Sequence, residues 1–195
     1  MPILGIIASQ ISGHLYPTTG FVSIATQTVG SGGAASVEFT NIPNVYKHLQ
    51  IRCLSRMTST SIRVNMQVGN TTIDTGSNYN WHSLGGDGVS AFGYTPGPNL
   101  NYIQANSSVQ SSEIANAFGV GIIDILDYAS TNKNKTFRML TGTDLNSYAG
   151  GNYFVGLNSG AWFSTSAIDR IKLYPNGAGN IAQYSQFALY GIQGA

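Results

Sequence analysis

Charge is scarce in this sequence. Nine Lys or Arg and eight Asp or Glu make up 9% of its 195 residues, against the ~25% usual in soluble domains. The net charge of +1 leaves no basic excess to neutralise a phosphate backbone, so nucleic acid is not an expected partner. The only cysteine, Cys53, excludes an intramolecular disulfide. No His-rich or strongly cationic stretch surrounds it to activate a thiol, so it reads as a small buried hydrophobe. No apolar run approaches the ~18 residues that cross a bilayer, so no membrane partner is expected. The opening, Met1 to Ala8, lacks the Lys or Arg of a signal peptide. Synthesis in a cytoplasm without an export signal is the expectation. Helix periodicity is missing too, apart from a short candidate at Ser111–Phe118.

Hydrophobic residues are plentiful at 42%, with 24 Gly, 11 Tyr and 8 Phe. From Phe21 onward, β-favouring runs alternate with Gly, Asn, Ser and Pro. The expected strands are Phe21–Thr28, Ser36–Thr40, His48–Ser55, Ile62–Val68, Tyr79–Leu84, Val89–Tyr94, Gly119–Tyr128, Lys135–Thr143, Tyr153–Leu157, Ile168–Tyr174 and Ser185–Ile192. Several alternate with period two. Leu49, Ile51 and Cys53 share a face opposite Gln50, Arg52 and Leu54. Ile62, Val64, Met66 and Val68 are expected inside, with Arg63, Asn65 and Gln67 outside. Both faces of Phe187–Ile192 are apolar, as in a strand that is central or packed against a partner. This spacing predicts an all-β fold: a two-sheet antiparallel sandwich, jelly-roll-like, formed by residues 21–195. Residues 1–20 read as an N-terminal attachment arm carrying Ile3, Leu4, Ile6, Ile7 and Ile11, or equally as a first edge strand plus loop. The stretches Gly69–Asn78 and Tyr94–Ser111 read as long loops, where binding is commonly placed.

The chemistry-bearing residues form no catalytic set. His14, His48 and His82 lie far apart and have no zinc-ligand spacing, so no metal is expected. No cofactor is expected either, because no Gly-rich turn opens a helix that could cradle a phosphate. Asp124 and Asp127 are three apart in a strand, so they point to opposite faces. Pairing with Arg138 or capping a turn is their expected role. A nucleophile elbow is absent. Gly85-Gly86-Asp87-Gly88 reads as a hairpin turn, and Gly30–Gly33 as a hairpin loop between the first two strands. What remains is neutral recognition. Tyr79, Asn80, Trp81 and His82 put rings beside hydrogen-bonding groups, the chemistry that stacks on sugar C–H faces and reads hydroxyls. Tyr94, Tyr148 and Trp162 extend this glycan-binding candidate set. Any one such ring is more often a core residue than a sugar platform.

Several blocks carry a family resemblance. They are Ile7–Gly13; Ser23–Thr26 with Thr28–Gly33; Ile42–Arg52; Asn78–His82; Gly121–Ala129 with Thr131–Thr136; and Gln183–Ile192. Together they resemble small virion proteins of tailed bacteriophages, of the tail-fibre or head-fibre type. The resemblance implies a non-enzymatic structural protein on the particle exterior, most simply a tail-fibre or tip component contacting the host surface. The alternative is a capsid decoration or head fibre held by the N-terminal arm. Implied partners are other virion proteins of tail or capsid, further copies of the chain as a homotrimer, and host surface glycan. The resemblance supplies no catalytic residues.

Overall fold

The computed structural model describes residues 20–145 and 154–193. The arm residues Ile3, Leu4, Ile6, Ile7 and Ile11 lie outside them, as does Tyr148. The described residues form thirteen strands and no helix. They are β1 (Phe21–Thr28), β2 (Val37–Phe39), β3 (His48–Ser55), β4 (Arg63–Asn70), β5 (Thr72–Ile73), β6 (Tyr79–Gly86), β7 (Ala91–Tyr94), β8 (Ile103–Ser107), β9 (Gly119–Leu126), β10 (Lys135–Thr143), β11 (Phe154–Trp162), β12 (Arg170–Pro175) and β13 (Gln186–Ile192). Eight form one antiparallel sheet in the order β1-β13-β3-β9-β10-β11-β6-β7. The second sheet runs β2-β12-β4-β5, with β8 also paired to β4. Between them lies a single core. The large sheet supplies Leu49, Ile51, Ile123, Ile125, Phe137, Met139, Phe187 and Leu189; the small one supplies Phe39, Val64, Met66, Val68, Ile171 and Leu173. The expected two-sheet all-β architecture is therefore present.

Alternation places most residues where the sequence predicts. Leu49, Ile51 and Cys53 are buried, while Arg52 and Leu54 are exposed. β13 lies between β1 and β3, one of the two placements expected for it. The Gly85–Gly88 turn joins β6 to β7. The Asp87 carboxylate accepts the Val89 and Ser90 N–H groups, and Gly88 takes φ 86°.

Four expectations are corrected. Gly30–Gly33 is not a hairpin loop: β1 pairs with β13 and β2 with β12, so this turn carries the chain from one sheet to the other. Asn65 and Gln67 are buried, because β4 is a central strand and the segment before β8 covers it; Gln67 Nε2 donates to Asn101 O at 2.8 Å. The two long loops contain the short strands β5 and β8. No helix forms at Ser111–Phe118. Arg56 collects its carbonyls instead, donating to Ser111, Glu113, Ile114 and Ala117 O at 2.8–3.3 Å. Those acceptors are then taken up by a guanidinium from β-structure rather than by i+4 amides.

One buried polar side chain constrains the inner face. Asn106 of β8 donates to Ser55 Oγ at 2.9 Å and accepts from Thr141 Oγ1 at 2.7 Å. Thr141 Oγ1 in turn accepts the Ser107 N–H at 2.7 Å. The space for this amide comes from Gly121, where a Cβ would lie 2.1 Å from Asn106 Oδ1. Gly121→Ala is expected to displace the amide and leave buried groups unpaired. The expected loss is about 3 kcal/mol, or a fall in Tm of roughly 6–12 °C for a domain of this size. A thermal melt followed by circular dichroism measures it.

Candidate functional site

The sequence-predicted residues separate by strand geometry. Tyr79, Asn80, Trp81 and His82 occupy successive positions of β6, so their side chains alternate between faces. Tyr79 and Trp81 point into the core, 0% and 3% exposed, and Trp162 of β11 is 3% exposed. Rings so enclosed present no face to a sugar, which removes these three from the glycan-binding set. Asn80 is half-buried, His82 is exposed and Tyr94 on the edge strand β7 is 58% exposed. Tyr94 leans on the rim of Trp81, with centroids 5.6 Å apart.

Tyr79 and Trp162 nevertheless meet, at Asp74. Trp162 Nε1 donates to Asp74 Oδ2 at 2.7 Å, and Asn78 Nδ2 donates to the same oxygen at 2.8 Å. Asp74 Oδ1 accepts the Gly76 N–H at 2.8 Å. The Tyr79 hydroxyl lies 2.8 Å from Asp74 O and 2.9 Å from Val68 O, and it accepts the Val68 N–H at 3.1 Å. Burial raises the Tyr79 hydroxyl's pKa. Partial burial also pushes the Asp74 carboxyl upward, but the indole, amide and backbone donors outweigh it and hold the group below its ordinary value. This knot fastens the Asn70–Asn78 segment to β11 beside a shallow polar groove of about 380 Å³.

Asp127 takes Lys133 and Lys47 as ion-pair partners. The Lys133 hydrogen bond leads in holding its carboxyl low. Cys53 and Lys135 are two buried groups with nucleophilic potential. Burial pushes the Cys53 thiol up to about 12. Burial pushes the Lys135 amine's pKa down, and the amine donates to Lys133 O and Thr165 O. Cys53 is level with Gly121 and so with Thr141, six residues along β10 from Lys135, about 20 Å away. Among the described residues, no group of three or more His, Cys, Asp or Glu could hold a metal ion, and no helix is long and apolar enough to cross a membrane.

The feature that sequence reasoning missed is the outward face of the large sheet. Its registers line side chains into rows across β3, β9, β10, β11 and β6. One row reads Arg52, Ile122, Leu140, Leu157, Leu84; the next reads Leu54, Val120, Gly142, Val155, Gly86. The large aliphatics of these rows are 39–61% exposed. Leu54, Val120, Ile122, Leu140 and Val155 line a shallow trough of about 570 Å³. A polar row borders the apolar ones: Gln50, Asp124, Arg138, Ser159, His82. Gln50 Nε2 donates to Asp124 Oδ1 at 2.8 Å, and Arg138 Nη2 to Asp124 Oδ2 at 2.7 Å. Arg52 Nε donates to Gln50 Oε1 at 3.0 Å, and its guanidinium rests 5.2 and 5.1 Å from the Phe21 and Tyr190 ring centres. Single exposed aliphatics are ordinary. A contiguous field of them rimmed by polar groups marks an interaction surface. The available signal was Val120-Gly121-Ile122-Ile123-Asp124-Ile125-Leu126, apolar on both faces.

No protein-family model matches this chain, and no curated protein matches it.

The Asp74 knot has a pH signature. Asp74 and Asp127 both have folded-state pKa values below their unfolded ones. Their stabilisation is complete above the unfolded value of ~3.9 and is lost as pH falls through the folded values. Urea midpoints are therefore expected to fall between pH 5 and pH 2. Asp74→Asn should lower stability at pH 7 by about 1.5–3 kcal/mol and flatten that decline. An unchanged pH profile in the variant would show that the knot carries none of it.

Proposed function

We propose that this chain is a non-enzymatic structural protein on the exterior of a tailed-bacteriophage particle, a tail-fibre or tip component that assembles through the outward face of its large sheet. The observation that carries the assembly reading is the apolar field of Ile122, Leu140, Leu157, Leu84, Leu54, Val120 and Val155 on that face. Water-exposed aliphatics at this density stabilise a protein only when something covers them. The phage assignment rests on the sequence resemblance, and low charge suits it, because uncharged surfaces are cheap to desolvate on assembly. The jelly-roll description and the attachment arm at residues 1–20 belong to the same reading.

Capsid decoration is the second reading. The burial of Tyr79, Trp81 and Trp162 favours it, since these rings are lost to any sugar-gripping tip. Asn80, His82 and Tyr94 are the accessible remainder of the host-glycan candidates. Electron microscopy of purified virions labelled with an antibody to this protein tests both readings. Label at the tail is expected for the tip component, and label over the head for the decoration. Virions of the phage that carries this sequence, bearing no label anywhere, would refute both. Incubation with host surface polysaccharide is expected to leave polymer length unchanged, and shortening would refute the non-enzymatic reading.

A further inference from the structure

We propose that the outward face of the large sheet is covered by the same face of a second copy of this chain. The two copies would be related by a two-fold axis parallel to the strands and midway between β9 and β10. The inference rests on the assembly reading of that face, names its occupant, and sets a two-fold dimer against the homotrimer that the resemblance implies.

The sheet order places this axis at the middle of the sheet, with four strands on each side: β1, β13, β3 and β9 on one, β10, β11, β6 and β7 on the other. A two-fold in this position keeps each row opposite its own kind and exchanges β9 with β10 and β3 with β11. The registers then fix what meets across the interface. In the polar row, Asp124 of one copy faces Arg138 of the other, twice by symmetry. In the first apolar row, Ile122 faces Leu140. In the second, Leu54 faces Val155, and the bulk of Val120 faces the bare backbone of Gly142. Opposite charges meet, aliphatics meet, and a large residue meets a small one. Isologous contact requires this self-complementarity. Arg52, the other cation of these rows, is drawn aside onto Phe21 and Tyr190 and opposes Leu157 rather than a cation.

The area also fits. Seven inter-strand spacings of ~4.8 Å by seven residue rises of ~3.4 Å give a face of ~800 Å². A standard stable interface takes about that much from each partner. Aligned face-to-face packing of two sheets needs ~10 Å between them, which these aliphatics fill.

A complementary pair of charge reversals tests the arrangement. Asp124→Arg places Arg against Arg138 of a like copy, and Arg138→Asp places Asp against Asp124. Each variant alone is expected to dimerise on the order of a hundredfold more weakly than the wild type. An equimolar mixture is expected to recover the dimer, because both contacts are then Arg against Asp. Sedimentation equilibrium reads the outcome as twice the chain mass of 20.7 kDa. Leu140→Glu, at a 53% exposed position, is expected to give a folded monomer and carries the test if a charge variant does not fold. A wild type that is monomeric at ~100 µM, or trimeric, overturns the inference. So do variants that dimerise as well alone as mixed. A dimer whose antibody labels no virion would leave this inference standing and remove the phage reading; a labelled virion with a monomeric protein would do the reverse.

Discussion

An eight-stranded sheet has two faces, and the second sheet of this protein covers only one of them. The five strands of the small sheet, two of them only two and three residues long, pack against the inner side of the large sheet. The outer side still carries aliphatics on β3, β9, β10, β11 and β6. Strands that must pair on both edges and pack on both faces favour branched and apolar residues throughout. The low charge of the chain agrees with the proposed dimer, in which the sheet is covered on both faces and few positions would keep an ion solvated.

The ions that do occur are held by specific partners. Asp124 has Gln50 and Arg138, Asp127 has two lysines, and Asp74 has an indole, an amide and a backbone N–H. The exposed pairs among them contribute little individually. Their structural value lies in position. The Asp124 chain marks where the apolar field ends, and the Asp74 knot fixes a segment that would otherwise hang off the edge of the sandwich.

Much of the fold was legible in the sequence because period two is a strong signal when one face is polar. β1, β3 and β10 have the predicted limits, and of the two roles expected for Asp124 and Asp127, pairing with Arg138 falls to Asp124. The signal failed where strands are too short or too polar to show a period, as in Thr72–Ile73 and Ile103–Ser107. It also failed where Asn158-Ser159-Gly160 resembles a turn yet lies between β10 and β6. The candidate site was less legible. Tyr79, Trp81 and Trp162 have the side-chain chemistry of a glycan site, but on a strand it is parity that decides which chemistry reaches solvent. Applied to Tyr79–His82, strand alternation places two of the four residues in the core; it does not reach Asp127, which lies in the turn after β9 with φ 48°. The sheet-wide rows across five strands could not be read at all, because they depend on pairings between segments distant in sequence.

The pairing of β1 with β13 brings the two ends of the described domain to one corner: Phe21 stands opposite Ile192, and the Gln193 N–H donates to Gly20 O. This arrangement governs how the domain responds to mechanical force. Tension applied between these two ends would unzip β1 from β13 one hydrogen bond at a time, starting at that corner. Tension between either end and the outward face would load whole strands lengthwise, with every hydrogen bond of a ladder sharing the load. The same sandwich is therefore weak when pulled by its ends and strong when gripped by its broad side.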